Sequence, residues 1–97
     1  MKTLEEIRRI LNNRSSDLQQ EYGITRLAVF GSVVRGEANE DSDVDILATF
    51  AQPVGLLKLI SAEYYLSDLL EARVDLVPND DIRPELREPI LREAVEI

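Results

Sequence analysis

Phe30-Gly31-Ser32-Val33-Val34-Arg35-Gly36-Glu37-Ala38-Asn39-Glu40-Asp41-Ser42-Asp43-Val44-Asp45 is the stretch on which the reading of this chain turns. To its left, Arg26-Leu27-Ala28-Val29-Phe30 is a short apolar run stopped by Gly31, as expected of a buried strand feeding a turn. To its right, apolar character returns at Val44-Asp45-Ile46-Leu47-Ala48-Thr49-Phe50, a second strand ended by Gln52-Pro53. Gly31 lets the backbone turn sharply and lets a bulky anion approach the main chain, while Ser32 offers a hydroxyl and an amide, so the pair outlines a phosphate cradle. A glycine and a serine after a strand are equally ordinary turn residues, and alone they leave both readings open. Asp43 and Asp45 lie two apart at the start of the second strand, so both side chains leave the sheet on one face while Val44 and Ile46 point to the core. Carboxylates this close raise each other's pKa and repel unless a cation sits between them; the alternative is a solvated acidic turn.

Outward from this stretch, Thr3 and Glu6 have capping-box spacing, and Leu4, Ile7, Leu11 and Leu18 fall on one helical face, predicting a single opening helix that ends near Tyr22-Gly23. Leu59, Ala62, Leu66, Leu69 and Leu70 predict a second amphipathic helix between Gly55 and Ala72. A third strand, Arg73-Val74-Asp75-Leu76-Val77, follows and is closed by Pro78-Asn79. In the tail, Pro84 marks a helix start and Leu86, Ile90 and Ala94 share a side, but Pro89 predicts an interruption and two short pieces. The 97 residues are the length of one domain. The order of elements predicts an α/β or α+β fold, a small mixed sheet of three to four strands with helices packed on it.

Asp75 is the isolated charge in an apolar run and is expected inside the sheet region, where an unpaired carboxylate is expensive. The lesser alternative is an exposed edge position, or pairing with Arg73 or Arg26. If the third strand lies beside the second, Asp75 joins Asp43 and Asp45 on one face, a set of hard oxygen ligands suited to magnesium. Arg35 has two readings of equal standing, contact with a triphosphate or pairing with Glu37 or Glu40. Tyr64 and Tyr65 on the second helix are expected to serve packing and surface instead of chemistry.

Composition narrows the function classes. Nineteen acidic and eleven basic residues give a net charge of -8, which opposes non-specific attraction to nucleic acid or anionic lipid and suits cations or a basic partner. The chain contains no cysteine and no histidine, so thiolate and imidazole chemistries are excluded and oxygen ligands remain. The start, MKTLEEIRRI, carries acids where a signal peptide needs an unbroken apolar run, and no apolar stretch is long enough to span a bilayer, so a cytoplasmic location is expected. Asp41, Asp43 and Asp45 match the first positions of a calcium-binding EF-hand loop, but Ile46 replaces its glycine and Gln52 its closing glutamate. Gly31 and Gly36 have P-loop spacing, but Glu37 stands where the lysine is required.

A Gly-Ser pair, ten intervening residues and Asp-x-Asp resemble the signature of the nucleotidyltransferase superfamily related to DNA polymerase beta, matched here by Gly31, Ser32, Asp43 and Asp45. With the Arg35-Gly36 step, the Arg-Val-Asp-Leu-Val strand and the Leu91-Arg-Glu-Ala-Val tail, the chain looks like the minimal nucleotidyltransferases. These MNT-domain proteins act as antitoxins paired with HEPN-domain toxins in prokaryotes. The resemblance implies a nucleotidyltransferase fold and an enzyme in which Asp43, Asp45 and Asp75 are catalytic and bind magnesium, two ions in all. It implies further that Gly31, Ser32 and Arg35 bind the phosphates of ATP, the donor. The acceptor it implies is a tyrosine of the partner HEPN toxin, a ribonuclease blocked by adenylylation, with no direct role for nucleic acid or membrane. Two other functions fit the same residues: a module that neutralises its partner by contact alone, and transfer to a small molecule, which the lack of a second domain to form an acceptor pocket disfavours. Pro89 departs from what the family leads one to expect and touches no motif residue.

Overall fold

The structure is a computed structural model that describes residues 2–97. The chain opens with α1 (Leu4–Asn12), begun by the expected capping box: the Thr3 side chain accepts from the Glu6 amide, and Glu6 accepts from the Thr3 amide. The single opening helix expected from the periodicity is in fact two, because α2 (Ser15–Tyr22) is a separate helix. At the join the Arg14 amide bonds to the Leu11 carbonyl, a tighter turn than the α-helix makes. The polar run Asn12-Asn13-Arg14-Ser15-Ser16 explains the break, since asparagine and serine compete with the backbone for hydrogen bonds. The apolar face survives it: Ile7, Leu11 and Leu18 are all buried.

Four strands form one sheet in the order β3-β2-β1-β4. β1 (Ile24–Phe30) pairs antiparallel with β2 (Val44–Phe50), β2 pairs parallel with β3 (Val74–Pro78), and the two-residue β4 (Val95–Glu96) pairs antiparallel with β1. A register shift between Ile24 and Arg26 inserts a bulge that returns Ile24 to the same face as Leu27 and Val29. The connection from β2 to β3 is α4 (Leu56–Leu70), the helical crossover that a parallel pair requires. One face of the sheet, with Val29, Val44, Ile46, Ala48, Val74 and Leu76, packs on Ile7, Leu11 and Leu18 and on Ala62, Leu66 and Leu70 of α4. β3 is an edge strand, and α4 saturates its outer amides: Val74 N–H donates to Ser67 Oγ (3.1 Å) and Leu76 N–H to Glu63 Oε2 (2.9 Å). Tyr65 packs near Tyr22, ring centroids 5.4 Å apart, while Tyr64 stands on the exposed side of α4.

The opposite face begins in α3 (Ser32–Arg35), a single turn between β1 and β2, and is partly covered by α5 (Pro84–Glu93). Leu91 and Ala94 line a cleft there with Ala28, Leu47 and Thr49 of the sheet. The tail is one helix and not the two pieces expected, with Pro89 inside it. Proline at that point deletes one backbone bond to Glu85, but both residues are exposed, so solvent can satisfy the carbonyl, and a ten-residue helix tolerates the loss. Among the described residues no helix is long and apolar enough to cross a membrane.

Candidate active site

The strand pairing sets the site. Asp45 lies opposite Phe30 on β1 and opposite Asp75 on β3, so the end of β1 and the two acids cross three adjacent strands in a row. Asp45 is flanked by buried Val44 and Ile46, and Asp75 by buried Val74 and Leu76, which places both carboxylates on the sheet face away from the helical core. Registered neighbours on adjacent strands are about 4.8 Å apart along the backbone, within reach of a shared cation.

Asp75 is exposed, and this corrects the expectation that it is buried. An apolar run of this length reads as a central strand, but β3 is the sheet's edge and its second face is open beside Asp75. What singles Asp75 out is its register with Asp45 and its lack of any ion-pair partner among the described residues, since Arg26 pairs with Glu96 and Arg73 with Asp43.

Asp45 is the half-buried member. Burial pushes its carboxyl above the usual carboxylate range, and the neighbouring charges of Asp75 and Asp43 push it further the same way. Gly31 shows where the burial comes from. Its backbone has φ 80°, a region that favours glycine, and a Cβ added there would stand 2.1 Å from Asp45 Oδ2. The turn after β1 is therefore folded directly onto the Asp45 carboxylate, and only glycine permits that approach.

Asp43 precedes β2 and pairs with Arg73, whose Nε lies 3.1 Å from Asp43 Oδ1. Among the described residues no three acidic side chains stand close enough together to make a preassembled cation cage. Asp45 and Asp75 are brought together, and Asp43 is held at their border by the guanidinium. The donor set fits a hard cation: carboxylate oxygens only, with Asp45 destabilised by its own neighbours in a way that a bound cation relieves.

Of the residues expected to cradle phosphate, Gly31 and Arg35 have definite partners. Gly31 N–H donates to Glu93 Oε2 at 2.9 Å, and Arg35 Nη1 donates to both Glu93 oxygens at 2.9 and 3.2 Å. Arg35 Nε also donates to Glu37 Oε1 at 2.7 Å, so of the acids weighed for it Glu37 is a partner and Glu40 is not. These hydrogen bonds raise the Arg35 pKa and, led by the bond from Gly31, lower that of Glu93. The Ser32 hydroxyl makes no hydrogen bond among the described residues and is partly exposed at the start of α3. Glu93 is the site residue that the residue pattern does not single out, since it reads as an ordinary helix-end acid, and Arg73, weighed as a partner of Asp75, pairs with Asp43 instead.

The family model described as a nucleotidyltransferase domain matches residues 4–97. The chain is 48% identical to the protein adenylyltransferase MntA of Thermococcus cleftensis over 98% of this chain and 96% of the relative. A solved structure described as a minimal nucleotidyltransferase superposes with a TM-score of 0.80 at 41% identity, over 99% of this chain and 97% of the other. The fold recurs, at 16% identity and a TM-score of 0.70, in a structure of a tri-AMPylated Shewanella oneidensis HEPN toxin in complex with an MNT antitoxin, over 95% of this chain and 69% of the other. With the family model spanning nearly the whole chain and relatives this similar, the chain belongs to the nucleotidyltransferase domain family and is a minimal nucleotidyltransferase.

Proposed function

We propose that this chain is a magnesium-dependent protein adenylyltransferase that acts as an antitoxin, moving AMP from ATP onto a tyrosine hydroxyl of a cognate HEPN-domain toxin. The observation that carries the reading is the in-register pair Asp45 and Asp75 beside the glycine turn at Gly31. The name of the Thermococcus cleftensis relative supports protein adenylylation, and the AMPylated toxin held by an antitoxin of the same fold supports the partner.

In the reaction the acceptor oxygen forms a bond to the α-phosphorus, the bond from that phosphorus to the pyrophosphate oxygen breaks in line with it, and the hydroxyl proton departs. Magnesium supplies charge neutralisation for the leaving group and acidification of the acceptor hydroxyl. Asp43, Asp45 and Asp75 would hold it, the last two from adjacent strands. Ser32 and the Gly31 amide orient the donor phosphates, with Arg35 as their counter-charge.

The test is transfer of label from α-labelled ATP onto the copurified partner in the presence of magnesium. Label should appear on the partner and vanish with Asp43→Ala or Asp45→Ala. An unlabelled partner with the intact protein defeats the reading. Toxin neutralisation that survives the double substitution would show that contact suffices.

A further inference from the structure

Glu93 ends α5, and its position is set by the strand that follows it. β4 pairs with β1 through Val29↔Val95 and Ala28↔Glu96, and continuing that register places Glu93 opposite Gly31. There the pairing passes from backbone to side chain, because Gly31 N–H bonds to the Glu93 carboxylate instead of to a carbonyl. The same carboxylate is chelated by Arg35. An amide proton and a guanidinium converging on two oxygens are a binding site for a tetrahedral or planar oxyanion, and here the oxyanion belongs to the protein.

The donors are two of the groups proposed to receive the donor's phosphates, Ser32 being the third. An amide has one proton and serves one strong acceptor at a time. We propose that Glu93 is an internal competitor of the donor phosphates: it holds the Gly31 amide and the Arg35 guanidinium, and ATP must displace its carboxylate to take them. Glu93 thereby sets donor affinity without touching the reacting atoms. This rests on the donor site proposed above.

A carboxylate that merely clamps the turn leads to the opposite expectation. If Glu93 only orders Gly31 and Arg35 for the donor, weakening the clamp loosens the site and weakens binding. If it competes, weakening it strengthens binding even though the fold loses a contact. Glu93→Gln separates the two, since its amide oxygen still reaches Gly31 N–H without the charge.

The experiment is calorimetric titration of the full-length chain and of Glu93→Gln with ATP in excess magnesium, alongside thermal melts of both. The variant should bind about three- to tenfold tighter, the effect of one lost charge-assisted bond discounted for partial exposure, while melting at a lower temperature. Unchanged or weaker binding overturns the proposal. Should the variant not fold, the wild-type chain decides: the Glu93 carboxyl carbon and the Gly31 amide resonances are followed on addition of magnesium ATP or magnesium tripolyphosphate. Both should move together with either ligand. Saturable binding that leaves the Glu93 carboxyl unmoved overturns this inference alone, whereas a wild-type chain that binds neither ligand overturns the donor site itself and the inference with it.

Discussion

The two faces of the sheet are built on opposite terms. On the helical face the buried side chains packed on α1, α2 and α4 are apolar, and no polar or charged residue is buried among the described residues. On the other face, at the end where β1 runs into α3, burial and the neighbouring Asp75 and Asp43 carboxylates push the Asp45 pKa up, an arginine is shared between two acids, and a backbone amide is held by a side chain 62 residues away. The first face stabilises the fold and tolerates no charge. The second opposes the fold locally and collects the groups that chemistry requires, as expected when stability and activity make separate demands on one small domain.

The sharpest way to break the contrast is Asp45→Asn, which should act in opposite directions on the two quantities. On the proposed role of Asp45 as a metal ligand, its loss removes several kcal/mol of charge stabilisation, so transfer of label should fall by about a thousandfold. Stability without added magnesium should rise. The fold raises the Asp45 pKa, so the folded state holds that proton more tightly than the unfolded chain, and ionisation is destabilising. That penalty is absent at pH values below the ordinary aspartate pKa, grows as pH rises through the raised folded value, and is constant above it. Melting temperatures of the two proteins should therefore coincide in acid and separate toward neutrality, with the variant higher. A variant that melts lower at neutral pH would mean that Asp45 is a structural residue.

Leu66→Ala probes the other face. Leu66 is fully buried against the sheet, and truncating such a residue costs about 2–5 kcal/mol. Urea unfolding should show that loss, with label transfer per folded molecule unchanged within a factor of about three, because the cavity opens on the side away from Asp45. A large drop in specific transfer would show that the core face positions the acids.

Gly31→Ala falls between the faces. An alanine at φ 80° strains the backbone by about 1–3 kcal/mol, and its Cβ has to push the Asp45 carboxylate aside. Both stability and transfer should drop. Loss of transfer with unchanged stability would mean that the turn relaxes freely.

Much of this was legible in the residues. The β2 strand with Asp45 in it and Asp43 just before it, the α4 stripe and the glycine stop after β1 are local patterns, and each element stands where its periodicity places it, within a residue or two at the ends. The failures at the site have one physical source, which is that strand order and distant pairing leave no local trace. Asp75 reads as buried because its apolar neighbours do not reveal that β3 is the edge. Glu93 reads as a helix-end acid because its partner is Gly31, and only the β4 register joins them. The break between α1 and α2 was written in the Asn-Asn-Arg-Ser-Ser run but masked by an apolar face that continues across it, and Pro89 does not divide α5 because the bond it deletes faces solvent.

The smallest expected effect lies at that edge. Ser67 Oγ donates to the Glu63 carbonyl at 2.8 Å and accepts from Val74 N–H at 3.1 Å, and with Glu63 it ties the outer side of β3 to α4. Ser67→Ala leaves the Val74 amide without a partner, a loss of about 1 kcal/mol for a partly buried group. In a domain of this size that is a fall of about 4–8 °C in melting temperature. Transfer should change by less than about threefold, because the register that brings Asp75 beside Asp45 is made on the inner side of β3, by its ladder with β2. If label transfer instead collapses while the melting temperature barely moves, the helix and not the ladder holds Asp75 in place, and the apolar face reaches further into the chemistry than the strand pairing alone requires.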